Sequence, residues 1–285
     1  MKDDTVKRVY SDRMVTRLGE SIHEDRRIKD SRMEDSLQCL RNFKEKAEEF
    51  GVQKIIAVGT AALREALNAG IFLELAKKEA GIDIRVISPE EEALLTIEGI
   101  KAGLSLPEEF VAFDMGGGST EFIISTEGNI EPLSIPLGVL KLSGLFRTYP
   151  PSREEISGVC NVIKEILSST PGLKKIQSSK SKPLIGTGGT ATTISAVDLS
   201  LETYIPEMVH GHSITFNRLA ELVDKLSQLT LEEIRELKGM EKGREDIILP
   251  GLLGVMEVMR YLSIEELIIS DYGILEGIIK KEAES

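Results

Sequence analysis

The chain has 285 residues, 41% hydrophobic and 29% charged, with a formal net charge of −12. That length suits one large or two modest domains with ample core. The acidic balance argues against broad nucleic-acid binding, which needs a basic face, and no apolar run reaches the roughly 18 residues of a membrane span.

The start, Met1-Lys2-Asp3-Asp4, has no apolar leader. Cys39 and Cys160 form no CxxC pair, so core thiols in a reducing cytoplasm are expected. In chain order, Val6 to Tyr10 reads as a short strand. Ser31 to Phe50 reads as an amphipathic helix, with Ser31 and Glu34 as a capping box and Gly51 at its end. Lys54 to Gly59 reads as a buried strand, followed by helical stretches near Ala61–Leu67 and Gly70–Glu79. Asp83 to Ile87 is a strand, and Ser88-Pro89 opens a helix with Glu91 completing its capping box. Gly103 to Glu109 is polar and reads as a hinge, which divides the chain into domains 1–107 and 108–285.

Beyond the hinge, strands flank a glycine turn, Gly128-Asn129 marks a second turn, and Ile130 to Ile135 is a third strand. Ser152 with Glu155 caps a helix to Leu167, and Lys174 to Lys182 is a lysine- and serine-rich loop. Leu184 to Thr190 leads a strand into a second glycine loop and a helix. Helices follow over Phe216–Leu229, Leu231–Leu237 and Arg244–Leu262, then a strand over Leu267–Ser270 and a helix from Gly273. The alternation predicts an α/β fold with parallel sheet and helical cover. Small-residue loops after strands at 57–62, 113–120 and 184–190 suggest two α/β halves whose phosphate loops face a shared cleft.

Asp114-Met115-Gly116-Gly117-Gly118-Ser119-Thr120-Glu121 carries the most chemistry. Glycines leave no Cβ to keep an anion off the backbone N–H groups, which can form a phosphate nest. Asp114 is placed to hold hydrated Mg²⁺ against that phosphate, and Glu121 adds a second carboxylate. The plain alternative is a glycine hairpin with a capping Asp. A polyanionic substrate would also need local cations; Lys174, Lys175, Lys180, Lys182, Lys242 and Arg244 are candidates, or else solvated surface charge.

MVTRLGE (14–20), AVGTAALREALN (57–68), VISPEEEA (86–93), FDMGGGSTEF (113–122), PLGVLKL (136–142), IGTGGTAT (185–192), VHGHSIT (209–215) and SDYGILEG (270–277) follow one another in the chain. In this order they resemble the Ppx/GppA family, exopolyphosphatases and guanosine pentaphosphate phosphohydrolases of the actin-like (ribonuclease H-like) ATPase fold. The resemblance implies that Glu92 is the catalytic base, that Arg64 faces the phosphate cleft, and that Glu121 belongs to the same site. It implies that Asp114, with Glu121, associates with Mg²⁺. It assigns phosphate binding to Gly116, Gly117, Gly118, Ser119 and Thr120, to Gly186, Thr187, Gly188, Gly189 and Thr190, and to Arg244; His210 is structural. Glu90 and Glu91 are first-turn glutamates favoured by the helix dipole. For Arg64, an ion pair with Glu65 or a neighbour is the alternative.

The expected activity is Mg²⁺-assisted hydrolysis of a terminal phosphate from inorganic polyphosphate or guanosine pentaphosphate, in the cytoplasm, without nucleic-acid or membrane partners. A homodimer accords with the resemblance. The competing readings are a non-catalytic polyphosphate or alarmone sensor and an actin-like ATPase or kinase. Two departures stand out. KDDTVKRVY aligns with the family's third strand, so the strands around its first phosphate loop are expected to be missing, and Leu275 stands where arginine is usual.

Overall fold

The computed structural model describes residues 8–20, 22–126, 129–174 and 182–283. The chain divides into two compact units, the first ending at Glu92 and the second beginning at Ala93.

The first unit is built around the helix Asp30–Glu49 and a small parallel sheet, β1 (Ala57–Gly59) with β2 (Ile84–Val86). Its core gathers Ile28, Met33, Leu37, Leu63, Phe72 and Ala76. Buried Asn68 clips the core from the polar side. Its Oδ1 accepts from the Ile28 N–H and its Nδ2 donates to the Ile28 carbonyl, both at 2.9 Å. Both amide functions of a buried Asn are thereby satisfied.

Several expectations are corrected here. The helix begins one residue early, with Lys29 at the N-cap and no side-chain cap, so Ser31 and Glu34 form no capping box. The strand after it is three residues long, and Ile55 and Ile56 before it are 45% and 37% exposed rather than buried. Arg8 to Tyr10 form no strand, while Val6 and Lys7 lie outside the described residues. Gly51 and Gly81 do end their helical segments, at φ +63° and +64°.

The second unit carries a six-stranded sheet in the order β5-β4-β3-β6-β8-β7. Its strands are β3 (Phe110–Met115), β4 (Thr120–Thr126), β5 (Asn129–Ile135), β6 (Leu184–Thr187), β7 (Ser213–Thr215) and β8 (Glu266–Ile269). The central strands β3, β6 and β8 are parallel, while β4, β5 and β7 pair antiparallel. The sheet is therefore mixed. β3 explains its two-sided cover: successive side chains point to opposite faces. Val111, Phe113 and Met115 enter the large core with Val159, Ile163, Ile194, Leu222 and Val255. Phe110 and Ala112 enter a smaller core with Ala93, Ile97 and Ile100. A strand buried on both faces reads as a continuous apolar run, as FVAF does.

The helix Arg153–Ser168 has the expected capping box between Ser152 and Glu155. The last long helix begins at Ile248, not Arg244; residues 241–247 form turns, so Arg244 lies in a loop. The Gly128 turn and residues 175–181 of the lysine- and serine-rich loop lie outside the described residues.

Candidate active site

The phosphate-handling residues expected from sequence are assembled within the second unit, at the carboxyl ends of β3 and β6. That is where open α/β sheets bind ligands. Asp114 is the register partner of Glu121 on β4 and of Thr187 on β6, and Glu121 is the partner of Ser134 on β5. Register partners share a sheet face, so Ser134, Glu121, Asp114 and Thr187 form one polar row. Glu121 Oε1 accepts from the Ser119 hydroxyl at 2.6 Å and the Ser134 hydroxyl at 3.1 Å.

β6 runs directly into the helix Gly188–Asp198, and two glycines at this junction admit two opposite charges. Gly188 has φ +76°, and a Cβ there would meet Asp114 Oδ1 at 2.1 Å. A Cβ on Gly189 would meet Arg244 Nη2 at 2.1 Å and Cζ at 2.6 Å. Only hydrogen at these positions lets the carboxylate and the guanidinium press on the helix start. The glycine turn is drawn to the same place. The Gly116 N–H donates to the Ser119 carbonyl at 2.9 Å, and the buried Thr190 hydroxyl donates to the Met115 carbonyl at 2.7 Å. Gly138 closes the turn from behind, where a Cβ would meet the Gly117 carbonyl at 2.3 Å.

Not every expected phosphate contact has its polar group at this surface. Gly186 lies inside β6, packed near Ala191 and Phe113. The Thr120 hydroxyl donates to the Leu137 carbonyl at 2.5 Å, and the Thr187 hydroxyl donates to the Tyr272 carbonyl at 3.1 Å. Both hydroxyl protons are therefore committed to backbone carbonyls.

Arg64 and Glu92 meet within the first unit. Arg64 Nη1 donates to Glu92 Oε2 at 2.7 Å and to the Ile87 carbonyl at 2.9 Å. Each side chain is 20% exposed. Arg64 thus pairs with a carboxylate 28 positions away rather than with Glu65. Glu91 pairs with Arg85 at 2.7 Å, while backbone and Ser88 hydrogen bonds at the helix start hold the Glu90 carboxyl below its ordinary range. His210 Nδ1 accepts from the Asp271 N–H at 3.2 Å, and its ring stacks on Tyr272 at 4.5 Å between centroids. Among the other candidate cations, buried Lys182 faces Glu109 at 3.4 Å.

For a divalent cation, Asp114 and Glu121 offer hard oxygen donors on one face, and no group of three or more metal-ligating side chains occurs among the described residues. That donor set fits Mg²⁺, which keeps several waters and completes its shell with phosphate oxygens. Sequence reasoning missed Ser134 and Glu241, whose Oε2 accepts from Arg244 Nε at 2.6 Å. Ser134 has no signal of its own before the β4–β5 register is known.

The sheet, helix-covered on both faces, is of the actin-like α/β class, and a crystal structure of the Aquifex aeolicus member of the Ppx/GppA protein family superposes with a TM-score of 0.75. That structure is 30% identical, and the match covers 95% of this chain and 87% of the other. The model of the Ppx/GppA phosphatase family matches residues 1–285, and the chain belongs to that family. It is 27% identical to Exopolyphosphatase 2 of Mycobacterium tuberculosis, over 95% of this chain and 88% of that protein. It is 29% identical to a bifunctional 3-dehydroquinate synthase/phosphatase of Fusobacterium nucleatum subsp. nucleatum, over 98% of this chain but only 42% of that longer protein.

Proposed function

We propose that the protein hydrolyses a terminal phosphoanhydride of inorganic polyphosphate, with guanosine pentaphosphate as the second candidate substrate. One observation carries this reading: Asp114 and Arg244 are pressed onto consecutive glycines at a helix N-terminus beside a glycine turn. Helix N-termini carry partial positive charge and unpaired N–H donors. The Arg244 guanidinium, its Nε paired with Glu241, lies beside that end with Nη1 and Nη2 on Gly189, and a phosphate placed there would meet the helix N–H groups and the guanidinium together. A carboxylate beside that anion is in turn tolerable when a cation lies between, which is the role left for Mg²⁺ at Asp114 and Glu121. Bound there, Mg²⁺ would neutralise charge building on the phosphate oxygens.

The protein's own groups supply the rest. With the Gly116 N–H spent on the Ser119 carbonyl, the N–H groups of Gly117 and Gly118 and of the Gly188–Gly189 helix start hold the phosphate oxygens, and Arg244 adds charge-assisted donors. Glu92 takes the proton from the attacking water, and Arg64 fixes its carboxylate. Phosphoryl transfer needs positioning and charge stabilisation more than covalent help, and this residue set suits that demand.

The Arg64–Glu92 ion pair favours one alternative, a polyphosphate-binding sensor, because the carboxylate that would meet the water is already engaged by a guanidinium. Phosphate release from long-chain polyphosphate and from guanosine pentaphosphate, each with Mg²⁺ and with a chelator, separates the readings. A hydrolase releases phosphate only with the metal; a sensor binds and releases none.

A further inference from the structure

We infer that Glu241 is a positioning residue that aims Arg244 at the phosphate; this rests on the reading of Arg244 as a phosphate ligand. Glu241 Oε2 accepts from Arg244 Nε at 2.6 Å. The Nε edge of the guanidinium is thereby spent on Glu241, and Cζ, Nη1 and Nη2 lie on Gly189 at the helix start. An arginine side chain loses much rotamer freedom when held in one pose, and its planar fork recognises oxyanions only when correctly oriented.

Glu241 is itself held. Its Oε2 lies 3.3 Å from the hydroxyl of Thr193 and shares that group's single proton with the Gly189 carbonyl, which is nearer at 2.7 Å. The loop carrying Glu241 and Arg244 is seated on the same helix by Gly239, at φ +84°, where a Cβ would meet the Ala196 carbonyl at 2.1 Å. Glu241 also offsets the repulsion between the guanidinium and the helix N-terminus before an anion arrives. Glu241 and Arg244 are 16–25% exposed, enough shelter for their pairing to resist screening better than a surface pair.

The test is calorimetric binding of a methylene-bridged triphosphate, which cannot be hydrolysed, to the parent, Glu241→Ala, Glu241→Gln, Arg244→Ala and the Glu241→Ala/Arg244→Ala double variant. Losing an oriented charged hydrogen-bond donor costs about tenfold in affinity. Glu241→Ala should therefore weaken binding about as much as Arg244→Ala, and the double variant should be no weaker than Arg244→Ala alone. Glu241→Gln, which keeps an acceptor for Nε, should retain most of the affinity, with melting temperatures unchanged. Should Glu241→Ala melt early, Glu241→Gln with and without Arg244→Ala carries the same comparison.

Tighter or unchanged binding by Glu241→Ala would overturn the inference, since Glu241 would then merely repel the anion; so would additive losses. Polyphosphate hydrolysis, measured in parallel, separates this inference from the functional reading. Normal binding by Arg244→Ala in a protein that releases phosphate sinks the positioning role alone. The predicted binding pattern in a protein that releases no phosphate supports the positioning role and sinks the hydrolase.

Discussion

Two adjacent glycines with different neighbours make opposite predictions at the residue scale. A Cβ on Gly189 would strike the far end of a flexible Arg244 side chain. Gly189→Ala should leave the melting temperature nearly unchanged but weaken triphosphate binding, because the guanidinium must leave the helix start. Gly188 combines a left-handed φ of +76° with the Asp114 carboxylate. Gly188→Ala should lose about 1 kcal/mol or more of stability, measured by denaturant unfolding. Neither contact could be read from sequence: the glycines were conspicuous, but the side chains aimed at them come from strand β3 and from a loop more than fifty residues downstream. Glu241 was invisible for the same reason, since an acidic residue three before an arginine is an ordinary surface spacing.

At the scale of elements, the helices Pro89–Gly103 and Ile274–Ala283 touch through glycine. A Cβ on Gly99 would meet the Gly273 carbonyl at 1.8 Å, and one on Gly277 would meet the Leu95 carbonyl at 1.8 Å. Because backbone, not a movable side chain, blocks both, Gly277→Ala should destabilise by about 1–3 kcal/mol, read from chemical unfolding. The capping box of helix Arg153–Ser168 gives a pH prediction. Hydrogen bonds from the Ser152 and Arg147 backbone N–H groups lower the Glu155 pKa. A depressed folded-state pKa contributes stability above the unfolded value of about 4.3 and loses it as pH falls through the folded value. The melting-temperature gap between parent and Glu155→Gln should be full at pH 6 and shrink on acidification below about pH 4. This box was legible because Ser152 and Glu155 stand directly before a long amphipathic run. The Ser31–Glu34 box failed although its spacing is identical, because the helix extends back to Asp30 and carries Ser31 into its first turn. Strand β7, three residues long, gave no periodicity to detect, and the apolar Ile247–Ile248 pair made the turn after Arg244 look helical.

At the scale of the molecule, family and α/β class were legible because eight motifs keep their order along the chain. The strands buried on both faces were legible as apolar runs, whereas Lys54 to Ile56 imitated one without being buried. A chain of formal charge −12 acting on a polyanion must neutralise repulsion locally, so catalysis is proposed to depend on Mg²⁺ with Asp114 and Glu121 and on a water deprotonated by Glu92. The most direct measurement is phosphate release from long-chain polyphosphate with Mg²⁺ by the parent and by Glu92→Gln, with binding of the methylene-bridged triphosphate as control. Release by the parent is expected, with a loss of about 10²–10⁴-fold in kcat for Glu92→Gln and equal binding by both. A folded parent that binds the analogue but releases no phosphate, or a Glu92→Gln variant that turns over like the parent, would overturn the proposed hydrolysis.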